Sequence, residues 1–263
     1  METKFKYIYG PVPSWRLGSS LGIDLLSQDE KICNFDCIYC QVGKTKNYQN
    51  ERKIYVPIQN IIDEIKKLPA VHIDYLTFSS RGEPTLAKNL GDAIKAVREI
   101  RNEKIAVLTN AALIGLDDVR KDLMSADFVC VKLDACSSNF LAEINKPDEG
   151  IDFENILAGI KQFRQDYKGK LALQIMFIDK NKHKVEKYLD LVKQINPDEV
   201  QVNTSLRFCN VNPLSKEEIL KIKNYFISVC KGINIVSVYD DRVLENIVSI
   251  SDEDTLRRRG KIK

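Results

Sequence analysis

The sequence predicts an α/β fold with parallel strands, in the form of an incomplete (β/α)6 barrel of the TIM type. Short segments rich in Val, Ile and Leu alternate with longer segments whose apolar residues recur at helical spacing. This order is typical of a parallel sheet covered by helices. A complete barrel of eight units needs about 250 residues. Because roughly fifty of the 263 residues belong to the N-terminus and to a cysteine-rich segment, the remainder suffices for six units.

The predicted elements follow one another in a regular order. The first strand, 20–26, is followed by the cysteine-rich segment and by a helix at 56–68 whose isoleucines share one face. The last predicted helix begins with a capping box that pairs Ser215 with Glu218. The further predicted strands are 73–80, 104–110, 127–135, 170–178 and 199–206, with 233–240 as a candidate last strand, and the further helices are 89–100, 116–126, 153–167, 183–196 and 214–226.

Composition narrows the class of protein. Hydrophobic residues make up 44% of the chain and charged residues 29%, as in globular rather than disordered proteins. The net charge of +3 does not by itself indicate a nucleic-acid binder. No apolar run reaches the ~18 residues of a membrane helix, and the N-terminus lacks the apolar core of a secretion signal. We expect a soluble, cytoplasmic protein with no membrane partner. It would be one domain over 1–263, with a barrel core at 20–210 and a helix, a candidate strand and a tail at 211–263.

Three of the seven cysteines are clustered in "CNFDCIYC", where Cys33, Cys37 and Cys40 have the spacing C-x3-C-x2-C. In a reducing compartment, clustered cysteines more often bind metal than form disulfides. A structural zinc ion needs four ligands, so the fourth would come from a dispersed cysteine or from His72 or His183. An iron–sulfur cube on three thiolates instead keeps one iron open for a substrate or cofactor. In that case the missing fourth cysteine is itself the functional feature.

The triplet, with the aromatic Tyr39 before its last cysteine, resembles the signature of the radical S-adenosylmethionine (radical SAM) enzymes. The resemblance implies that the thiolates hold a 4Fe-4S cluster and that SAM binds the fourth iron through its amino and carboxylate groups. It further implies an electron donor such as a flavodoxin or a ferredoxin. Reductive cleavage of SAM would then yield a 5′-deoxyadenosyl radical that abstracts a hydrogen atom from the substrate. In the family, the residue at the position of Tyr39 contacts the adenine of SAM.

Two further motifs at predicted strand ends resemble family motifs. "SSRGEPTL" (79–86) is similar to a Gly-Gly-Glu-Pro motif. In that motif, Gly82 would let the backbone approach SAM closely, and Glu83 would accept a hydrogen bond from the SAM ammonium group. "LTN" (108–110) is similar to a Thr-Asn-Gly ending, which makes Asn110 a candidate for contacting SAM or for capping the next segment.

Polar residues at later strand ends are further candidates. In "VKLDA", Lys132 and Asp134 share one face of a strand, where buried charges are costly unless they are used. Asp134 is a candidate for binding the ribose hydroxyls of SAM, and Lys132 for neutralising its carboxylate. The alternative is an ion pair between them, without a ligand. Gln174, on the fifth strand, is a candidate cofactor contact. Cys209, after the sixth, is a candidate hydrogen-atom donor or second-metal ligand at the substrate.

The opening run "YGPVPSWRLGSSLGID" resembles that of short iron–sulfur oxidoreductases grouped with tRNA wyosine-synthesis enzymes. This resemblance implies radical SAM chemistry on an unknown substrate, which leaves tRNA modification and activation of a partner protein as alternatives. A non-catalytic iron–sulfur redox sensor is a third alternative. The tail "RRRGKIK" (257–263) is the one basic run that would suit tRNA. Arg16, in the opening run, would meet an anion or the cluster region.

Overall fold

The structure of the chain, a computed structural model, describes residues 5–79, 81–240, 247–258 and 260. Within these residues, eight strands form one sheet in chain order, and the sheet curves into a half-barrel. Strands β2 to β8 are parallel, and β1 pairs antiparallel with β2. The predicted α/β incomplete barrel is therefore confirmed. The strands are β1 (Ile8–Ser14), β2 (Gly18–Ile23), β3 (Tyr75–Phe78), β4 (Lys104–Thr109), β5 (Phe128–Lys132), β6 (Lys170–Met176), β7 (Glu199–Asn203) and β8 (Asn234–Ser237).

Amphipathic helices alternate with the parallel strands and bury their apolar faces. In the first of them, Ile61, Ile62 and Ile65 are buried. The predicted capping box is present in the helix after β7, where the Glu218 amide donates to Ser215 Oγ at 3.2 Å. The helices are α1 (Ile58–Lys66), α2 (Leu90–Ile100), α3 (Asp117–Leu123), α4 (Ser138–Phe140), α5 (Phe153–Asp166), α6 (Val185–Ile195), α7 (Lys216–Val229) and α8 (Glu253–Arg258).

The sheet contains more strands than the six counted from the sequence. The candidate last strand is present as β8, and β1 was missed altogether. Pro11 and Pro13 lie within β1, and proline argues against a strand because it cannot donate a ladder hydrogen bond. They are tolerated because β1 lies at the edge of the sheet, where one side of the strand makes no ladder.

A short helical segment after β5 was also missed, and it positions the cysteine segment. Helix α4 continues into a π-helical turn, Leu141–Asn145. The carbonyl of Asn145 accepts a hydrogen bond from the Asp36 amide at 3.0 Å, and that of Ile144 accepts one from the Ile38 amide at 2.9 Å. The backbone between Cys33 and Cys40 is therefore attached to this turn.

The turn that joins β1 to β2 closes the N-terminal end of the half-barrel. Its last residue, Leu17, is buried against side chains from the first halves of three neighbouring strands: Ala106, Phe128, Cys130 and Ala172. Because that end is filled, the interior opens toward the C-terminal ends of the strands, where the cysteine segment lies. This is the end of a β/α barrel at which active sites are built.

The described C-terminal residues return to the edge strand. The Ile250 amide donates to the carbonyl of Gly10 at 2.6 Å, and the Gly10 amide donates to Ser251 Oγ at 3.0 Å. Most of the basic tail, 257–263, lies outside the described residues. No helix in the described part of the chain is long and apolar enough to cross a membrane.

Candidate active site

The three clustered cysteines lie on the segment between β2 and α1 and line one cavity. Cys33 is buried, Cys37 and Cys40 are half-buried, and all three are free thiols. The cavity has a volume of about 510 Å³, within the usual range for ligand pockets. The structure therefore brings the three predicted metal ligands to a common space. Six other predicted site residues line the same cavity: Tyr39, Gly82, Glu83, Asn110, Lys132 and Gln174.

Gly82 brings the Gly-Glu-Pro turn into contact with the cysteine segment. Its backbone forms a parallel bridge with Ile32, the residue before the first cysteine, and its φ angle is 152°. A Cβ at position 82 would lie 1.6 Å from the carbonyl oxygen of Ile32. Only glycine lets these two backbones meet. The glycine therefore allows a close approach between two parts of the protein's own backbone, and its predicted approach to SAM stays a prediction.

The buried lysine Lys31 places a positive charge beside the thiols. Lys31 is buried and donates to Cys40 Sγ at 3.1 Å and to the carbonyl of Gly43 at 3.0 Å. Burial by itself would lower the pKa of Lys31, but the thiols, Cys40 foremost, raise it overall. Burial raises the pKa of Cys33 to about 12, against the opposing effect of Lys31. The sequence analysis overlooked Lys31, although its position two residues before the triplet was an available signal.

Asp134 belongs to a buried network behind the cysteines and does not line the cavity. Its carboxylate accepts hydrogen bonds from the Tyr39 hydroxyl, from Asn145 Nδ2 at 3.3 Å and from the Met176 amide at 2.8 Å. Lys132 Nζ lies 3.5 Å from the same carboxylate, which is the ion pair that the sequence analysis gave as the alternative. With these partners the carboxylate is engaged inside the protein, so the geometry does not favour contact with a ribose.

Tyr39 and Lys132 are held by the same network. Lys132 Nζ donates to the Tyr39 hydroxyl at 3.0 Å and lies 4.5 Å from the centre of its ring. Burial, followed by the charge of Asp134, raises the pKa of Tyr39 well above its usual value. Burial would lower the pKa of Lys132, but Asp134 raises it overall. Tyr39 is therefore a neutral hydroxyl and Lys132 a cation whose charge is stabilised by the carboxylate.

Asn145 is a site residue that the sequence analysis missed. Its Nδ2 lies 3.4 Å from Cys37 Sγ and 3.1 Å from the Tyr39 hydroxyl, as well as near Asp134. Asn145 is buried on the π-helical turn, a feature often found at functional sites. No local pattern in the sequence indicates this role, because Cys37 and Tyr39 lie more than a hundred residues earlier in the chain.

Glu83 is fully buried, and its two carboxylate oxygens are used unequally. Oε1 accepts three hydrogen bonds, from the Thr85 amide at 3.0 Å, its hydroxyl at 2.7 Å and the Thr109 hydroxyl at 2.6 Å. Oε2 accepts one, from the Asn110 amide at 2.6 Å. Burial raises the pKa of Glu83, although these donors oppose the shift. A carboxylate offers about four acceptor positions, so Oε2 retains capacity toward the cavity.

The side chain of Asn110 contacts the first cysteine. Its Nδ2 donates to Asn34 Oδ1 at 2.8 Å and lies 3.9 Å from Cys33 Sγ, while its Oδ1 accepts from the Ala112 amide at 2.9 Å. Asn110 therefore caps the following turn and also lines the cavity, while its predicted contact with SAM stays a prediction.

Gln174 and Cys209 lie in different surroundings. Gln174 Oε1 accepts a hydrogen bond from Arg16 at 2.9 Å, so this predicted cofactor contact is oriented by the opening run. Cys209 is half-buried beside the apolar cluster of Tyr39, Met176 and neighbouring residues, and its Sγ lies 3.4 Å from the carbonyl of Val211. It is not among the described residues that line the cavity. Its predicted role at the substrate stays a prediction that this placement does not favour.

The residues around the thiols suit an iron–sulfur cluster better than a single metal ion. Among the described residues, no three His, Cys, Asp or Glu side chains form a group that could hold one metal ion. A cube distributes its cysteine ligands over different iron atoms, so three separated thiols around one cavity match it. Beside Cys33, the buried Nδ2 of Asn34 has no hydrogen-bond partner in the described structure. A cluster sulfur would give this amide an acceptor. Without one, the buried amide would be a costly unsatisfied donor.

A half-barrel with a three-cysteine segment after its first parallel strand, beside a buried Gly-Glu-Pro turn, defines a radical SAM enzyme. The chain belongs to the radical SAM superfamily, whose sequence model matches residues 31–192. The family resemblance of the cysteine motif is thereby confirmed.

Two sequence relatives cover most of the chain. UPF0026 protein slr1464 of Synechocystis sp. is 40% identical over 218 residues, which are 82% of this chain and 81% of that protein. UPF0026 protein MJ1312 of Methanocaldococcus jannaschii is 35% identical over 269 residues, 95% of this chain and 83% of that protein. Neither name specifies a reaction.

Solved structures agree with the fold. Archaeal TYW1 superposes with a TM-score of 0.58 at 15% identity, over 89% of this chain and 79% of that one. Streptococcus suis SuiB bound to S-adenosylmethionine gives a TM-score of 0.58 at 15% identity, over 82% of this chain and 46% of that one. The chain thus spans about half the length of SuiB. At 15% sequence identity, these two superpositions show that the half-barrel fold is shared.

Proposed function

We propose that the protein holds a 4Fe-4S cluster on Cys33, Cys37 and Cys40, binds SAM at the open iron and uses it to abstract a hydrogen atom from a substrate. The observation that carries this proposal is the arrangement of three free thiols of one segment around a cavity. The fourth cysteine that lines the cavity, Cys130, packs with Leu17 at the closed end of the half-barrel, and its thiol donates to Gln201 Oε1 at 3.5 Å. When bound, the cluster would supply the electron that cleaves SAM to the 5′-deoxyadenosyl radical. A reductant is required, and we propose a flavodoxin or a ferredoxin.

The chain's own residues prepare the thiols for this role. Burial raises the pKa values of Cys33 and Cys37, and the cations Lys31 and Lys132, respectively, oppose that rise. Positive charge at this position stabilises thiolates and the negative charge of a reduced cluster. The amides of Asn34 and Asn145 offer donors to sulfur from two sides. Hydrogen bonds to sulfur are among the factors that set the reduction potential of such clusters.

Glu83 and Tyr39 are the residues we propose for contacts with SAM. Glu83 lines the cavity, and its Oε2 accepts one hydrogen bond in the described structure, which leaves acceptor capacity for the ammonium group of SAM in a charge-assisted hydrogen bond. Tyr39 is fixed through its hydroxyl by Asp134 and Lys132, which supports a rigid contact with adenine. Lys132, half-exposed at the cavity, remains our candidate for the SAM carboxylate.

The substrate proposals come from the opening run of the sequence. We propose tRNA modification as one role, on the resemblance of the opening run to wyosine-type proteins, and activation of a partner protein as the other. The names of relatives differ, since a probable GTP 3',8-cyclase of Sulfurisphaera tokodaii is 24% identical over 191 residues. The shared half-barrel therefore does not choose among substrates.

Anaerobic SAM cleavage tests the proposal directly. The protein is reconstituted with iron and sulfide, reduced with dithionite and given SAM, and 5′-deoxyadenosine is measured by chromatography. We expect the wild type and Cys209→Ala to release it, and Cys37→Ala to bind less iron and release none. Purification of the anaerobic protein with zinc and no iron, or an intact cluster that never cleaves SAM, would overturn the enzymatic role.

A pair of variants separates the binding role of Glu83 from its structural role. Glu83→Gln keeps the shape but removes the charge, and we expect SAM to bind about tenfold more weakly. Thr85→Val removes one internal hydrogen bond to the same carboxylate and leaves its charge. We expect this control to lower the thermal midpoint while SAM affinity stays near that of the wild type. Equal loss of affinity in both variants would assign Glu83 a purely structural role.

A further inference from the structure

Two buried side-chain amides line the cavity on neighbouring strands, and the proposed handling of the cluster and SAM uses neither of them. Gln174 lies on β6, and Asn203 is the last residue of β7. Their exposed fractions are 5% and 6%, so each is more than nine-tenths buried. Because a buried amide is costly unless its polar atoms are paired, the partners of these two side chains decide what this wall of the cavity can bind.

Both side chains point into the half-barrel and not toward the helices. On β7, Val202 belongs to the main core cluster together with the buried faces of the helices, so the next residue, Asn203, faces the opposite side. On β6, Ala172 packs in the interior cluster at the closed end, and Gln174 lies on the same face two residues later. The register pairs Met176 with Asn203, so the two amides are diagonal neighbours on one wall.

The acceptor end of each amide is already used within the protein. Gln174 Oε1 accepts a hydrogen bond from Arg16 at 2.9 Å, and Asn203 Oδ1 accepts one from the Thr204 amide at 2.9 Å. A guanidinium group and a backbone amide can only donate, so each of these bonds fixes which end of the side chain carries the oxygen. The nitrogen of each side chain is thereby the end that is left for a ligand.

The donor end of each amide has no partner in the part of the chain that the structure describes. Neither Gln174 Nε2 nor Asn203 Nδ2 donates a hydrogen bond to a described residue. Gln201 provides the contrast, since it lies on the same face of β7 but is not among the described lining residues. Its Nε2 donates to Glu199 Oε1 at 2.8 Å, and its Oε1 accepts from Cys130 Sγ at 3.5 Å. Of these three amides, the two with an unused donor are those that line the cavity.

We propose that Gln174 and Asn203 form a substrate subsite that binds a carbonyl or carboxylate group. Two N–H donors whose acceptor ends are occupied favour a group that accepts hydrogen bonds, and they leave an ammonium group without a partner. A carbonyl oxygen has two lone pairs and a carboxylate has two oxygens, so either group has acceptor positions for both donors. The substrate would present this group to the wall of β6 and β7 while another part of it faces SAM. The catalytic meaning of the subsite rests on the proposed function, but its binding is tested without it.

The side-chain amide signals of the protein report this binding directly. The isotopically labelled full chain, without and with the reconstituted cluster, is titrated while its side-chain amide resonances are recorded by NMR. Sodium acetate presents a carboxylate, N-methylacetamide a neutral carbonyl, and ethylammonium chloride a cation that only donates. Sodium chloride at matched ionic strength controls for salt. SAM is titrated in a separate arm, because Gln174 is also a predicted cofactor contact.

Gln174→Glu and Asn203→Asp assign the two signals and remove the two donors. Each variant keeps the oxygen that accepts from Arg16 or from the Thr204 amide, and each replaces the nitrogen with a second acceptor. The Gln201 signals are the internal control, because Gln201 lies on β7 with both ends of its amide paired. In each variant, unchanged Gln201 signals show that the wall has kept its structure.

We expect acetate or N-methylacetamide to shift both amide signals saturably, whereas ethylammonium and chloride leave them unchanged. The probe that binds more tightly identifies the group as a carboxylate or a neutral carbonyl. Each variant should bind that probe at least about tenfold more weakly. Equal shifts with ethylammonium, no saturable shift with either acceptor, unchanged affinity in both variants, or saturation of both amides by SAM alone would overturn the proposal. SAM cleavage in the same preparations reports separately on the proposed function.

Discussion

Replacing Gly82 with alanine should separate the cysteine segment from the Gly-Glu-Pro turn. Gly82 is the residue at which these two parts of the site touch, through its bridge with Ile32. Ile32 directly precedes Cys33, so any displacement there passes to the first thiol. We therefore expect Gly82→Ala to impair cluster binding although the substituted residue carries no ligand atom.

The magnitude follows from the geometry. The new Cβ would lie 1.6 Å from the Ile32 carbonyl oxygen, whereas unstrained heavy atoms stay roughly 3.5 Å apart, so the two backbone segments must separate by about 2 Å. That displacement breaks the hydrogen bonds from the Glu83 amide to Ile32 at 3.0 Å and from the Ile32 amide to Arg81 at 3.1 Å. Each contributes about 1 kcal/mol, and alanine at a φ of 152° adds roughly 1–3 kcal/mol of strain. The total of about 3–5 kcal/mol is a large part of the stability of a typical domain.

Iron and sulfide content per chain after anaerobic reconstitution is the assay, together with the thermal midpoint of the unloaded protein. Gly43→Ala is the matched control, because Gly43 lies on the same segment with a φ of 104° but has no atom within 4 Å of its ideal Cβ. It carries the backbone strain without the collision. We expect Gly82→Ala to retain less than half of the wild-type iron and Gly43→Ala to retain most of it. Equal iron content and equal thermal midpoints in the two variants would refute the reasoning.

Three further changes test other parts of the site. Asn145→Ala removes the donor 3.4 Å from Cys37 Sγ, so the cluster should become harder to reduce, and stability should fall by about 2 kcal/mol. Arg52→Met should cost about 3 kcal/mol in chemical denaturation, because the Arg52 side chain is only 8% exposed and donates to the carbonyl of Thr85 at 2.8 Å while pairing with acidic residues of α3. Cys209→Ala should leave the optical spectrum of the reconstituted cluster unchanged.

Each of these expectations has its own contradicting result. An unchanged reduction midpoint in Asn145→Ala would show that its amide does not act on the cluster. Arg52→Lys is the control for Arg52→Met. If lysine preserves the full stability, the positive charge at position 52, and not the set of guanidinium hydrogen bonds to Thr85 and α3, holds this region together. Loss of iron in Cys209→Ala would make Cys209 a ligand and would contradict the three-thiolate site.

The parallel strands could be predicted because their signal is local. The segment predicted at 127–135 contains β5, and that at 170–178 contains β6, since runs of branched apolar residues favour buried strands wherever they occur. The edge strand β1 could not be predicted in this way. Its prolines oppose strand formation locally, and only pairing with β2 at the sheet edge makes the conformation favourable. The π-helical turn at Leu141–Asn145 was missed because five residues are too short for a helical period to appear.

The sequence by itself determined the cysteine triplet and the class of chemistry it indicates, since the spacing of Cys33, Cys37 and Cys40 lies within one short segment. Only the tertiary structure decided which polar groups face the cavity. Asp134 meets the Tyr39 hydroxyl across 95 residues, and Arg16 meets Gln174 across 158. A buried polar side chain takes its hydrogen-bond partner from whatever the fold brings within about 3 Å, and no local pattern records that choice.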